Sequence, residues 1–571
     1  MIDEEIELAA HNTSAPKPIN ARIRNSADTT KRVVLLVALT FLRKSGYAGS
    51  FQDYPYGLLS IATYCKVIAD IHILDLVITD DNPLEYLDKL EKCINTIKPE
   101  VVGFSVMFDS AYAYVSRAAK LVKQHQPGCP VVLGGAAIST DSEIVISTQL
   151  HVDAVCYSEG EVPFFDLLLS HDMHHLLLTH KSWVTRQSIT SGKIPSKSLL
   201  SNLDQVIDID YSFLRVSDYE LRSSYIPTID LPISTPVQFP LITSRGCPFK
   251  CTFCWHSGDA DISMRYASVE KIIAHLERLV ADYGLNTIAI YDDQLLLNRK
   301  RAKDLFKRMS SLECRVELPN GVTVGYIDEE MVSLMHAAGV RAVRLAIESG
   351  DPFVLSKIIK KPLRVEIVKP VVELLHKYSI WVIGFFVIGM PGENDAHRIK
   401  TIELIKSAGI DWSMVSTAVP CRGSALWQEC IESGYVEKAS EFIEINFNNN
   451  IAISTPEYSA EYLSKFAYLM NLDVNFVNNR GIAVGEYKTM AKYFLHLTSV
   501  YPDHAFAHYY LAKALSKLGE LDQANNHHEI FRKIIHENAE WNGYASIFGL
   551  DGFDEGVDSE CFVWPPTAPS S

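Results

Sequence analysis

From Lys31 onward, short apolar runs alternate with stretches in which apolar residues recur every three or four positions. The runs suit strands buried in a sheet, and the longer period suits helices with one apolar face. Val33–Thr40, His72–Ile78, Val101–Val106, Val131–Leu133 and Asp153–Tyr157 read as strands. Tyr56–Ala69, Leu84–Ile97, Ala111–His125 and Glu161–Ser170 read as helices. This alternation predicts a Rossmann-like, doubly wound parallel sheet over residues 32–170. Residues 1–31 are polar and aperiodic, which predicts a disordered tail. Residues 171–237 carry no sustained period and read as a connector. Within it Trp183–Arg186 and Gln187–Lys193 suggest a hairpin, and Pro227, Pro232 and Pro236 an extended end.

The alternation resumes over residues 238–440. Strands are expected at Leu241–Ser244, Thr287–Tyr291, Arg315–Leu318, Ala342–Ile347, Val382–Ile388 and Ser413–Ala418. Helices are expected at Val269–Tyr283, Arg299–Ser310, Asp328–Ala338, Leu363–Tyr378 and Ala396–Ser407, with Gly284 and Gly339 as C-terminal stops. Six such units predict an open, partial (β/α)6 barrel with its site at the carboxyl ends of the strands. From residue 441 the pattern turns helical after an Asn-rich turn at Asn446–Asn450. Tyr510-Leu511-Ala512, Leu515, Gly519, Ala524 and Phe531 resemble one tetratricopeptide-like helix pair. A single pair cannot form a solenoid, so residues 441–571 are expected to pack on the barrel or cap its opening, ending in a loose tail with Pro565, Pro566 and Pro569. The fold class is therefore α/β: an N-terminal doubly wound sheet, a central partial barrel and a C-terminal α-helical domain.

Composition narrows the function. The chain of 571 residues is 47% hydrophobic and 21% charged, with a formal net charge of -16. That balance disfavours nucleic acid or an anionic membrane as a general partner. No signal peptide is visible, and the most apolar runs, Val33–Leu42 and Trp381–Met390, are too short to span a bilayer. The eleven cysteines are scattered except at Cys247, Cys251 and Cys254, which argues against a secreted disulfide framework and for the cytoplasm.

Those three cysteines, at C-x3-C-x2-C spacing after Pro240–Thr243, can reach one metal centre from a short loop. They leave a four-iron cluster one cysteine short, with one iron open to an outside ligand. A zinc knuckle with His256 as fourth ligand is the other reading. Later strand ends carry Asp292-Asp293, Glu348 and the segment Gly384–Glu393. A strand-end carboxylate suits paired hydroxyls, and glycine beside a strand admits a flat base; ordinary caps and turns use the same residues. In the N-terminal sheet the corresponding ends are Ser105-Val106, Gly134-Gly135 and Glu159-Gly160-Glu161. No G-x-G-x-x-G follows the first strand, which disfavours a dinucleotide.

In their order these motifs resemble the radical S-adenosylmethionine (SAM) enzymes that carry a cobalamin-binding domain, most of whose characterised members are methyltransferases. The resemblance implies a 4Fe-4S cluster on Cys247, Cys251 and Cys254, with Phe253 the usual aromatic before the third cysteine. It implies SAM on the open iron, its amino end near Asp292 and Asp293, its ribose on Glu348, and its adenine along Gly384, Gly389 and Pro391. Arg265, Tyr266 and Lys360 fit the same pattern but equally fit packing or surface roles. Cobalamin is implied at Ser105, Val106, Gly134, Gly135, Glu159 and Gly160, with Tyr54–Leu59 as a further matching piece. Asp70-Ile71-His72 lacks the glycine of the D-x-H-x-x-G motif, so no histidine is expected below cobalt. The implied activity is reductive cleavage of SAM to a 5′-deoxyadenosyl radical, followed by methyl transfer from methylcobalamin to an unactivated centre. Its partners would be a small-molecule or peptide substrate and an external electron donor of flavodoxin or ferredoxin type. The alternatives are a cobalamin-assisted cyclase or ring-rearranging enzyme, and a zinc-stabilised scaffold without enzymatic activity. Cys421, at the barrel mouth, reads as a packing cysteine rather than a substrate-directed thiol.

Overall fold

The computed structural model describes residues 31–42, 54–79, 82, 84–106, 112–135, 138, 142–219, 237–254, 263–436 and 453–550. Outside them lie the N-terminal tail before Lys31, Pro227, Pro232, Pro236, His256, Asn446–Asn450 and the C-terminal tail. The chain divides into two compact units, the first taking in residues up to 41 and 55–214, the second residues 42–54 and those from 215 onward.

The first unit alternates β1 (Arg32–Leu42), α1 (Tyr56–Cys65), β2 (Ala69–Thr79), α2 (Glu85–Ile97), β3 (Val101–Ser105), α3 (Tyr112–His125), β4 (Val131–Gly134), α4 (Ser142–Thr148), β5 (Ala154–Cys156) and α5 (Glu161–Leu169). Its strand order is β2-β1-β3-β4-β5-β6, where β6 is Trp183–Val184. β1, β3, β4 and β5 pair in parallel, and β6 runs antiparallel to β5. Helices cover both faces, which is why Val34–Val37 and Val131–Leu133 are continuously apolar. The order reverses between β1 and β3, and such a switch point opens a crevice at the carboxyl ends of those strands.

Two expectations need correction. The hairpin at Trp183–Lys193 is instead β6, then α6's successor: with α6 as Met173–Thr179, the next helix is α7 (Arg186–Thr190). A reciprocal capping box between Thr185 and Ser188 starts α7 and overrides the alternation. The connector is also shorter than expected, because residues up to 214 belong to the first unit. Arg186 donates to the carbonyls of Val152 at 2.9 Å and Gln149 at 2.5 Å, and Leu200, Leu203, Ile207, Ile209 and Tyr211 are buried. Asn202 and Asp210 cap single helical turns there, so irregular backbone is satisfied without any period in the sequence.

The second unit contains β7 (Gln238–Leu241), β8 (Ser244–Arg245), β9 (Arg265–Tyr266), α8 (Val269–Tyr283), β10 (Thr287–Ile290), α9 (Arg299–Met309), β11 (Arg315–Glu317), α10 (Glu329–Ala337), β12 (Ala342–Glu348), α11 (Val368–Lys377), β13 (Trp381–Ile388), α12 (Asp395–Ala408) and β14 (Trp412–Thr417). β11-β10-β7 and β12-β13-β14 form two parallel three-stranded ladders, joined by bridges Val316–Val340 and Val322–Leu345. These are the six strands of the expected partial barrel. Its first strand lies three residues earlier than Leu241–Ser244, and Ser244-Arg245 instead pairs with Arg265-Tyr266. β7 runs through Pro240, whose missing N–H is tolerated because β7 is a lateral strand among the described residues.

After α13 (Ala425–Glu432), the described chain resumes in helices α14 (Ala460–Leu472), α15 (Arg480–Ala483), α16 (Tyr487–Val500), α17 (Ala505–Lys517), α18 (Leu521–Glu537) and α19 (Ala539–Ile547). α17 and α18 are the expected helix pair, turning at Gly519 with φ +83°. These helices share a core with Trp381 and Ile383 of β13, and Tyr493 packs on both Trp381 and Trp412. They therefore pack on the barrel. The buried Asn475 carboxamide accepts from the Ser413 N–H and donates to its carbonyl, each at 2.7 Å, standing in for a neighbouring strand on β14. No helix among the described residues is long and apolar enough to cross a membrane.

Candidate active site

The cysteine loop leaves the carboxyl end of β7 under tight control. Asp292, just past β10, accepts from the N–H and hydroxyl of Thr243 and the hydroxyl of Ser244 at 2.5–2.6 Å. Arg301 of α9 donates to the carbonyls of Thr243 and Ala267 at 2.8 and 3.0 Å. Burial pushes the Asp292 carboxyl up, against the lowering effect of those hydrogen bonds. Asp292 thus works as a clamp on the loop's root, and its oxygens are committed there rather than open to a ligand. Asp293 is exposed and close enough to act electrostatically on Cys247.

Gly246, at φ +104°, turns the chain into Cys247. Cys251 is buried, while Cys247 and Cys254 are half-buried. Thr252 pins the loop, donating to the carbonyls of Ile359 and Ile358 at 2.9 Å each, and its own carbonyl accepts from Leu426 N–H at 2.9 Å. Phe249, Phe253 and Cys254 pack with Cys251 against Val387 and Met390 from the end of β13, and against Ala418 after β14. The loop therefore lies over the carboxyl ends of the barrel strands. Burial raises the thiols of Cys247 and Cys251, and the nearby Lys361 ammonium opposes it. Among the described residues, no group of three or more His, Cys, Asp or Glu side chains already stands gathered to hold a metal. Binding a cluster requires these thiols to lose their protons.

Glu348 ends β12 in a left-handed conformation, φ +73°, after a register shift from Ala346. Its buried carboxylate faces Lys361 Nζ at 3.1 Å. A buried non-glycine residue held at positive φ carries strain of the kind that gathers at ligand sites, though surface turns such as Lys98 and Glu313 adopt it too. Lys361 was missed from sequence. The π-helical turn Val354–Ile359 ends at Lys360, itself left-handed at φ +60°, which leaves Lys360 exposed and delivers its neighbour inward. The Lys360-Lys361 pair was the available signal.

The glycines of the 384–393 segment are required by protein neighbours. A Cβ on Gly384 would sit 2.5 Å from the Phe386 ring, and one on Gly389 would sit 2.1 Å from Leu463 of α14. Gly389 (φ +81°) donates its N–H to Glu393, Pro391 is buried, and Gly392 also has φ +81°. Tyr266 packs under Arg301, 5.1 Å from its ring centroid, so the Arg265-Tyr266 pair is structural through β9 and this stack. Cys421 opens a turn whose Gly423 has φ +80°, with Arg422 stacked 4.9 Å over Trp427.

In the first unit, Ser105, Val106, Gly134 and Gly135 meet at adjoining carboxyl ends. Val106 N–H donates to Gly134 carbonyl at 2.9 Å, and a Cβ on Gly135 (φ +122°) would lie 2.2 Å from Val106 O. That close backbone packing leaves no room for a side chain at the ends of β3, which borders the switch point, and of its neighbour β4. Glu159 accepts from Leu200 N–H at 3.4 Å and Glu161 from Ser60, while Gly160 makes room for Ile61. The turn after β5 is thus fastened by its carboxylates to its own unit.

Residues 241–405 match the family model of the radical SAM superfamily, and residues 51–168 that of the B12 binding domain. An uncharacterized methyltransferase of Pyrococcus horikoshii is 28% identical over 387 residues, 66% of this chain and 78% of that protein. The cytidylyl-2-hydroxyethylphosphonate methyltransferase of Streptomyces wedmorensis is 26% identical over 471 residues, 75% and 87% of the two chains. The structure of the radical SAM methyltransferase TsrM from Kitasatospora setae, with cobalamin and a 4Fe-4S cluster bound, superposes with a TM-score of 0.54 at 15% identity, covering 89% of this chain and all of that one.

Proposed function

This chain belongs to the radical SAM enzymes that carry a B12-binding domain, and we propose on that premise that it methylates an unactivated centre of a small-molecule or peptide substrate. The observation that carries the proposal is one chain holding both a three-cysteine loop over a barrel mouth and close backbone packing beside the switch point of a doubly wound sheet. When bound, a 4Fe-4S cluster with SAM supplies a hydrogen-abstracting radical, and cobalamin supplies a transferable methyl group. The chain's own part is to bind and orient. Cys247, Cys251 and Cys254 hold the cluster, with Phe253 shielding its loop. Lys361, beside the thiols and Glu348, offers a cation for the SAM carboxylate. Glu348 accepts from ribose hydroxyls, and the Gly384–Pro391 segment borders the adenine. Asp293 faces the amino end, with Asp292 holding the loop root behind it. Ser105, Val106, Gly134 and Gly135 receive cobalamin, and Glu159-Gly160 shapes the crevice edge. The described cysteines form no disulfide, in keeping with a reducing compartment, the cytoplasm, and reductive cleavage of SAM would draw on an electron donor of flavodoxin or ferredoxin type.

The test is anaerobic reconstitution with iron, sulfide, cobalamin, reductant and methyl-labelled SAM, offered extracts of the source organism. Label in a product supports methyl transfer. A converted product without label moves the reading to a cyclase or rearrangement. Zinc in place of iron, or 5′-deoxyadenosine still formed by Cys251→Ala, sinks the assignment.

A further inference from the structure

We propose that the stretch Tyr458–Phe466 of the helical part latches the 389–394 loop of the barrel and the first turn of α12, and that Tyr458 is a positioning residue for SAM. This rests on the reading that the Gly384–Pro391 segment borders the adenine. The loop turns through two residues at positive φ, Gly389 and Gly392, and is held both by its own bonds and from the helical part. Its Gly389 N–H is satisfied from within, by Glu393. Its Gly389 carbonyl is satisfied from the helical part, by the Tyr458 hydroxyl. Leu463 fills the space over Gly389 that a side chain there would occupy. Tyr462 donates to Asp395 at 2.6 Å. Arg398, fully buried, lies 4.9 Å over the Tyr458 ring and 5.3 Å over Phe466, and donates to Asp395 at 2.9 Å. It also faces the buried Glu393 carboxylate at 3.8 Å. Four side chains from one stretch thus meet the loop at its start and the first turn of α12 that follows it.

A latch of this kind changes how well the loop is ordered for its ligand, not the chemistry beyond it. Tyr458→Phe removes one hydroxyl and keeps the ring under Arg398. The SAM dissociation constant is read from the change in the reduced cluster's EPR spectrum during titration. It is expected to rise about five- to tenfold, the equivalent of one buried hydrogen bond. Cluster iron, cobalamin binding and the rate of 5′-deoxyadenosine formation at saturating SAM should stay within about twofold, because affinity alone is perturbed. Leu463→Ala should weaken SAM in the same direction. Gly389→Ala should weaken it further and regain part of the loss when combined with Leu463→Ala. If Tyr458→Phe and Leu463→Ala both bind SAM as the wild type does, the latch is overturned. If wild-type protein with a full cluster shows no spectral response to SAM, the reading of the loop fails, and the latch with it.

Discussion

Removing Lys361 isolates the buried pair at the end of β12. In Lys361→Met the Glu348 carboxylate loses a cation 3.1 Å away, at a site where the two side chains are 9% and 10% exposed. Breaking a buried pair by deleting one partner costs about 3–5 kcal/mol, because the survivor keeps its desolvation penalty. The residual exposure places this pair at the lower end, about 3 kcal/mol, or roughly 5 °C in the unfolding midpoint of a unit this large. The double variant Lys361→Met/Glu348→Gln removes the stranded charge and should recover at least half of that loss. Ligand binding should follow another order. Glu348→Gln turns a charged acceptor into a neutral one, and SAM should bind roughly tenfold more weakly in this variant and more weakly still in the double, which also lacks the Lys361 cation. Calorimetry of apo-protein gives the stability cycle, and titration of the reduced cluster gives affinity. If the double variant is no more stable than Lys361→Met, the two side chains do not compensate each other. If Glu348→Gln binds SAM as the wild type does, the strained carboxylate serves the lysine alone.

Gly135→Ala places a Cβ 2.2 Å from Val106 O at φ +122°, and should abolish cobalamin retention on gel filtration while leaving iron content unchanged. Asn475→Ala strands the N–H and carbonyl of Ser413, costing about 2–4 kcal/mol, seen as faster amide exchange of β14. His504, packed on Phe476 and Trp541, has its pKa lowered by burial to about 4. Below the ordinary histidine range the unfolded chain binds the extra proton, so stability falls as pH drops from about 6.5 towards 4. His504→Asn keeps the cap on Ala507 N–H and should reduce that acid loss without abolishing it, because burial also lowers His508, His527 and His528, measured as helical signal against pH.

The barrel was legible because its strands and helices keep separate periods: α8 begins and ends at the residues expected, Val269 and Tyr283. The cysteine loop was legible because its chemistry is written in local spacing. Other features were hidden for physical reasons. Lys361 reaches the thiols only because Lys360 adopts a left-handed turn, which two adjacent lysines do not announce. Gly384 and Gly389 suggested a ligand's flat face, yet Phe386 and Leu463 occupy their space, and Leu463 lies more than seventy residues away. Asp292 suggested a ligand group, but its hydrogen bonds run to Thr243 and Ser244, a pairing that no period within one element records. The packing of residues 171–214 was missed because caps and single turns, not amphipathic repeats, hold them.

The two lateral strands of the barrel are sealed by different means: Pro240 interrupts the donors of β7, and Asn475 occupies the Ser413 backbone of β14. A truncation after α13 would retain every cysteine and every barrel strand, and on paper resemble a minimal catalytic fragment. It would also uncover one adhesive seam and not the other. Such a fragment should therefore associate through β14 in a defined head-to-head fashion, so that its failure as an enzyme would report polymerisation before it reported any loss of chemistry.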